Sequence, residues 1–417
     1  RLCGMYDLIV IGGGPAGVMA AGRAASAGGR VLLLEKMEKP LRKLRITGKG
    51  RCNVTNDRSA EEFLAKIRQG REFFGPAFRA FDNRAAIEFI ENTLDVRLVH
   101  ERGGRIFPAS GRAWELAEAL VAWVRRSGAE IRCQAPAESL WIENGAVRGV
   151  VLRAGERLRA RAVVLATGGV SYPATGSTGE GHEMAFEAGL RIEPLRPALV
   201  PLEVEVPEGL KGLALRNVEV SLWVEDEVAE RRFGEMEFTA EGVAGGAIVL
   251  QVSRTAVDAL ADGRRVELSV DLKPAVSADK VRNRIEREID ALGRDGTVRM
   301  LLRKLVPAQL QGVIGRLAGL SMSRPVAEVA VAERERLVKG QKGCRVVVRG
   351  YRPFTEAIVT AGGVDLAEVD PQTMRVRSIG GLYVAGELLD LDADTGGYNI
   401  QIALSTGFLA GRSVVEG

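Results

Sequence analysis

The chain has 417 residues, 46% of them hydrophobic, with 58 lysines and arginines against 54 aspartates and glutamates; this is too long for one compact core and suits two or three domains of a globular protein. No run of about 18 apolar residues occurs, which excludes a membrane-spanning helix, and four scattered cysteines (Cys3, Cys52, Cys133, Cys344) with no C-x-x-C argue against a disulfide framework or structural zinc. Only two histidines exist, His100 and His182, neither in a supporting motif, so no metal site is expected.

Residues 1–4 precede Met5 and read as a short leader without the regions of a signal peptide, so the expected location is cytoplasmic. Tyr6 to Ile11 (YDLIVI) reads as a buried strand. Gly12-Gly13-Gly14-Pro15-Ala16-Gly17 follows, and a small-residue helix runs to about Ala27. A second strand, Val31 to Leu34, ends on Glu35, 18 residues past Gly17. A G-x-G-x-x-G between strand and helix, with a following acid, predicts a dinucleotide site. Gly12 makes the tight turn, Gly14 lets the backbone approach a pyrophosphate, and Gly17 lets helix and strand pack closely. The helix start, at Pro15 and Ala16, holds the anion. Glu35 can accept hydrogen bonds from a ribose hydroxyl, and Lys36 stands beside it. The fingerprint's position at the amino end, with further flavin-type features downstream, favours FAD over NAD.

Residues 36–51 carry seven basic residues and one acidic residue. Residues 60–94 look helical, 96–108 form a strand and hairpin, and 112–126 form another helix. A strand at 129–133 leads to Ala135, a further cofactor-contacting position. A meander follows at 137–143 and 146–152, joined by an Asn144-Gly145 turn. A strand at 158–165 runs into Ala166-Thr167-Gly168-Gly169, where only small residues let a strand end approach the cofactor. His182 falls in a glycine-rich loop (GSTGEGHEM) and is expected to pack there or face solvent. The pattern changes near Pro194. Residues 195–272 are mostly β, and 277–340 are helical and arginine-rich. Strands return at 344–349 and 355–360, and a final helix spans about 399–414.

These features predict an α/β protein. A discontinuous Rossmann-like domain covers 1–194 and 361–417. A β-barrel-like insertion covers 195–276 and 341–360, and a helical insert covers 277–340. Over 277–346, fifteen basic residues face eight acidic ones. Two readings stand for that excess: an anionic ligand or substrate, or a solvated helix surface.

The order of fingerprint, acid, meander, ATGG and late Ala385-Gly386-Glu387 resembles the two-dinucleotide-binding-domain flavoproteins of glutathione-reductase type. A narrower resemblance covers nearly the whole chain. TGKGRCNVTN (Thr47–Asn56), GRIFPASGRA (Gly104–Ala113), ATGGVSYPATGSTGEG (Ala166–Gly181), VTAGGV (Val359–Val364) and LYVAGELLDLDADTGGYNIQIALSTG (Leu382–Gly407) are together similar to the BaiN/RdsA family of bacterial NAD(P)/FAD-dependent oxidoreductases. That resemblance implies an FAD domain with an inserted β-barrel and a small helical domain. It places Thr47, Gly48, Gly50, Arg51, Cys52 and Asn53 against the flavin, with Ala166, Thr167 and Gly168 nearby. Gly386, Glu387, Gly396, Gly397, Tyr398, Asn399 and Ile400 close over it from the carboxyl side. One departure stands out. A phenylalanine-threonine-histidine-x-glycine run expected of the family reads Phe238-Thr239-Ala240-Glu241-Gly242, and a serine-glycine-proline reads Ala244-Gly245-Gly246.

The redox step then belongs to FAD. Only one G-x-G-x-x-G is present, so NAD(P)H is expected as a transient electron donor. The leading expectation is reduction of an activated C=C bond, in an enone or in uridine of RNA. An amine oxidase releasing peroxide and a flavin-holding protein without catalysis are the alternatives. Cys52 is the first candidate proton donor and Tyr398 the second; equally, Cys52 can be a small buried residue packing on the cofactor. A small-molecule or RNA substrate is expected, with no DNA or membrane partner.

Overall fold

Strand β1 (Tyr6–Ile11) is buried almost throughout, which suits a parallel sheet covered by helices on both faces. The computed structural model describes residues 5–206, 210–239 and 241–416. Its contacts separate into two compact units, Arg1–Pro197 with Ala357–Gly417, and Ala198–Glu356.

The first unit is built on a seven-stranded sheet. After β1 come helix α1 (Pro15–Ser26), β2 (Val31–Leu34), helix α2 (Arg42–Ile46), β3 (Glu130–Arg132), β4 (Ala137–Glu143), β5 (Ala146–Leu152), β6 (Arg157–Leu165) and β7 (Leu382–Val384). The order is β3-β2-β1-β6-β5-β4, with β7 beside β6. Strand β6 serves three neighbours. Arg157–Arg159 pairs antiparallel with β5, and Val163–Leu165 lies parallel between β1 and β7. Asn144 and Gly145 have φ of 51° and 71°, the turn that joins β4 to β5 with the twist a hairpin needs. The final helix (Tyr398–Glu416) lies on α1. The Cβ that Gly407 lacks would stand 2.2 Å from the Ala16 carbonyl oxygen, and that of Gly411 would stand 2.3 Å from the oxygen of Ala20.

Residues 60–94 are not one helical stretch. Ala60–Leu64 and Arg71–Ala80 are helices, and between them Ile67–Gln69 is a strand that pairs with Asp392–Ala393. A partner more than 300 residues away leaves no local periodicity to read.

In the second unit six strands close a barrel, in the order Leu202–Val204, Val243–Gly245, Glu227–Phe238, Leu213–Val224, Val266–Asp271 and Cys344–Tyr351. The stretch 195–272 is less purely β than expected, because Ala247–Ala261 is a helix burying Ile248, Val249, Val252 and Ala256. Its β-branched residues read locally as strand, while burial along one helical face decides the conformation. Helices Ala278–Leu292, Val298–Leu305, Ala308–Leu317 and Val331–Lys342 follow. Their Ile285, Leu302 and Leu337 join Val220 and Leu268 of the barrel in one apolar cluster. Part of this segment's positive charge is paired. Lys342 sits 2.6 Å from Asp271, Lys304 2.8 Å from Glu288 and Arg324 2.8 Å from Glu333, and Arg282 pairs with Glu335. Residues 1–4, with Cys3, and Ala240 lie outside the described residues. Among the described residues, no helix is long and apolar enough to cross a membrane.

Candidate cofactor site

The amino-terminal glycines behave as their spacing predicts. Gly12 has φ of 104°, and a Cβ there would meet the Ala166 carbonyl oxygen at 2.4 Å. A Cβ on Gly17 would lie 1.9 Å from the Gly12 oxygen, so β1 and α1 touch through bare backbone. At Gly14 the same test finds nothing within 4 Å. The turn therefore faces open space at the start of α1. No side chain caps that helix and its first turn holds no acid, which leaves unpartnered N–H groups and the positive helix end turned to the opening. The residues thus fit an anionic dinucleotide.

Glu35 projects from the end of β2. Its carboxylate accepts the Gly13 N–H at 2.9 Å and the Met37 N–H at 2.8 Å. Burial raises its pKa against the pull of those two bonds. Ala135 straps this corner, its N–H bonded to the Glu35 oxygen at 3.0 Å. Lys36 pairs with Glu180 and reaches Thr178. From the other end of the chain, Gly386 packs so close that a Cβ would stand 2.8 Å from the Ala16 Cβ. Glu387 accepts the Thr360 N–H at 2.8 Å and an ion pair from Lys43 at 2.9 Å. Gly168 lies against the same carboxylate, and the Thr167 hydroxyl oxygen is buried without a partner. Lys43 was not singled out by sequence reading. Its only signal was membership of the basic stretch 36–51.

Residues 48–53 form a loop held by backbone geometry. Gly48, Lys49, Gly50 and Cys52 all have φ between 58° and 81°, an unusual density of left-handed residues of the kind found where a chain is shaped for a ligand. Cys52 is fully buried, and desolvation pushes its thiol pKa up to about 12. The Asn53 Oδ1 is buried with no partner. The Thr47 hydroxyl donates to the Lys43 oxygen at 2.9 Å, closing α2. Arg51 turns away to pair with Glu101 and lies 4.4 Å over the Phe107 ring.

The carboxyl-terminal strap meets this loop. A Cβ on Gly397 would stand 2.4 Å from the Thr55 oxygen. The Asn399 amide bonds both polar groups of Ala393 at 3.0 Å, and Thr55 donates to Gln401 at 2.7 Å. An apolar recess between the two is lined by Pro15, Leu44, Val54, Leu116, Ile400 and Leu404. Tyr398, behind Gly396, packs edge-on against Phe63 at 4.8 Å, and burial raises its phenol pKa.

His182 departs from expectation. It lies on a helix (Glu180–Glu187), not in a loop, and is 5% exposed. Neither ring nitrogen has a hydrogen-bond partner, and burial pushes its pKa down to about 4, with Glu387 pulling the other way.

Fold and site together define a Rossmann-type flavoenzyme. The chain belongs to the HI0933-like family: the HI0933-like protein Rossmann domain matches residues 6–413, in agreement with the resemblance carried by the motifs. It is 33% identical to the 3-dehydro-bile acid delta(4,6)-reductase of Clostridium scindens, over 99% of this chain and 100% of that one. It is 29% identical to the ribosomal RNA dihydrouridine synthase of Escherichia coli, over 98% of each. Among solved structures, 3-ketosteroid delta1-dehydrogenase from Sterolibacterium denitrificans, in complex with 1,4-androstadiene-3,17-dione, superposes with a TM-score of 0.56 at 17% identity, covering 99% of this chain and 100% of that one. That likeness establishes a shared fold. The chain is an FAD-dependent oxidoreductase.

Proposed function

We propose that the chain reduces an activated carbon–carbon double bond, with electrons from NAD(P)H docking transiently. The observation that carries this reading is end-to-end similarity to two relatives named for reductive products, a delta(4,6)-reductase and a dihydrouridine synthase. A ketone-conjugated double bond and the uracil ring both present an electron-poor C=C beside a carbonyl, so one chemistry serves both. Bound FAD supplies hydride transfer. The start of α1 would hold the anionic end of the dinucleotide, and the glycines of the 48–53 loop would permit close backbone approach to the ring. A single G-x-G-x-x-G provides for one resident dinucleotide, so the donor is a visitor. Cys52 is the proposed proton donor. The buried thiol holds its proton at neutral pH and, as a weak acid, can pass it only to a more basic carbon formed as hydride arrives. Tyr398 is the second candidate and is likewise neutral.

The test is anaerobic reduction of the bound flavin by NADH and by NADPH, then reoxidation with a steroid enone, uridine-containing RNA and oxygen in turn. Saturation of a C=C bond is expected. Peroxide accumulating with a small amine would replace the reading with an oxidase, and a flavin that no donor reduces would end it. In Cys52→Ala, flavin reduction is expected to persist while turnover of the double bond falls at least a hundredfold. Unchanged turnover in Cys52→Ala, with loss in Tyr398→Phe, would move the proton to Tyr398.

A further inference from the structure

His182 stands among the residues of the cofactor slot without being explained by them. It follows Gly181, whose missing Cβ would lie 1.8 Å from the Thr167 Oγ1. It is two residues past Glu180, the partner of Lys36. Glu387 acts on its ring from the opposite end of the chain. Thr167, Lys36 and Glu387 thus converge on one turn of one helix. The imidazole there is about as buried as Met184 beside it, yet both its nitrogens lack partners, as does the Thr167 hydroxyl. Buried polar groups are nearly always hydrogen-bonded, and each exception calls for an explanation. A neutral imidazole offers one donor and one acceptor, and here both are unused, on a helix turn that Glu387 also acts on.

We propose that His182 is a cofactor-binding residue, its imidazole hydrogen-bonding the FAD that fills this slot together with Thr167. The inference rests on FAD occupancy and not on the identity of the substrate. It explains why a polar ring is placed where an apolar one would pack more cheaply. It also explains why the ring stays neutral: burial holds its pKa near 4, so at neutral pH it serves as a hydrogen-bonding group and not as a fixed charge.

The experiment compares the parent, His182→Phe and His182→Asn, each stripped of flavin and titrated with FAD. In His182→Phe, the FAD dissociation constant is expected to rise at least tenfold. The flavin-free protein should melt no lower than the parent, because two unsatisfied nitrogens have gone. His182→Asn, which keeps a donor and an acceptor, should recover part of the affinity. A packing role predicts the reverse, a lower melting temperature without flavin and an unchanged FAD affinity, and that result would overturn the proposal. A second readout needs no stable variant at residue 182. The chain has two histidines, and His100 is the exposed one, bonded to Asp57 at 2.8 Å. Nitrogen NMR of histidine-labelled protein therefore gives two rings, assigned with His100→Asn. Addition of FAD should move the His182 nitrogens apart as one tautomer is fixed. A His182 signal indifferent to FAD would also overturn the proposal.

Discussion

Gly14 and Gly17, three residues apart in one motif, should respond to a methyl group in opposite ways. Gly14 has φ of −76° and open space around its Cβ position, so Gly14→Ala should fold as the parent does. The new methyl would occupy the place where the dinucleotide approaches, and FAD affinity should fall at least tenfold. Gly17→Ala forces a methyl to 1.9 Å from the Gly12 oxygen. Strand and helix must then separate, which should cost about 1–3 kcal/mol of stability. Urea unfolding paired with FAD titration checks both. Equal effects of the two substitutions on stability would mean that the first is not facing an opening.

At the scale of elements, the contact of the final helix with α1 is the decisive one. Gly407 and Gly411 sit four residues apart on one helical face, each against a carbonyl of α1. That contact accompanies the close approach of Gly386 to Ala16 at the start of α1. Gly411→Val should therefore loosen both the helix pair and the flavin. A loss of about 1–3 kcal/mol together with weaker FAD retention is expected. Ser59→Ala provides the contrast. Ser59 and Glu62 form a reciprocal cap on the helix Ala60–Leu64, and its loss should cost about 1 kcal/mol while leaving FAD affinity unchanged. Circular dichroism melts with flavin fluorescence separate the two effects. If Ser59→Ala lost flavin as readily as Gly411→Val, the link between helix packing and the slot would fail.

At the scale of the molecule, every candidate cofactor residue belongs to the first compact unit, while the barrel and its helices have an apolar cluster of their own. Ligand binding stabilises only the unit that holds the ligand, by about 2.7 kcal/mol at a hundredfold excess over its dissociation constant. Calorimetry of the flavin-free protein should resolve two transitions, with FAD raising one and leaving the other in place. A single transition that moves as a whole would show the units to be one cooperative body.

The sequence by itself determined the parts whose causes are local. The strand-glycine-helix fingerprint, the Asn144-Gly145 turn, the meander and the small-residue ATGG stretch each follow from residues adjacent in the chain, where φ, spacing and side-chain size suffice. The helical character of 277–340 was also legible as a whole. The tertiary structure decided the rest. It made a strand of Ile67–Gln69 by pairing it with Asp392–Ala393, and it made a helix of β-branched residues from Ala247. It brought Lys43 onto Glu387 across 344 residues, turned Arg51 out to Glu101, and buried His182 with both nitrogens unpaired. In each case the energy comes from a partner far along the chain, which no local pattern encodes.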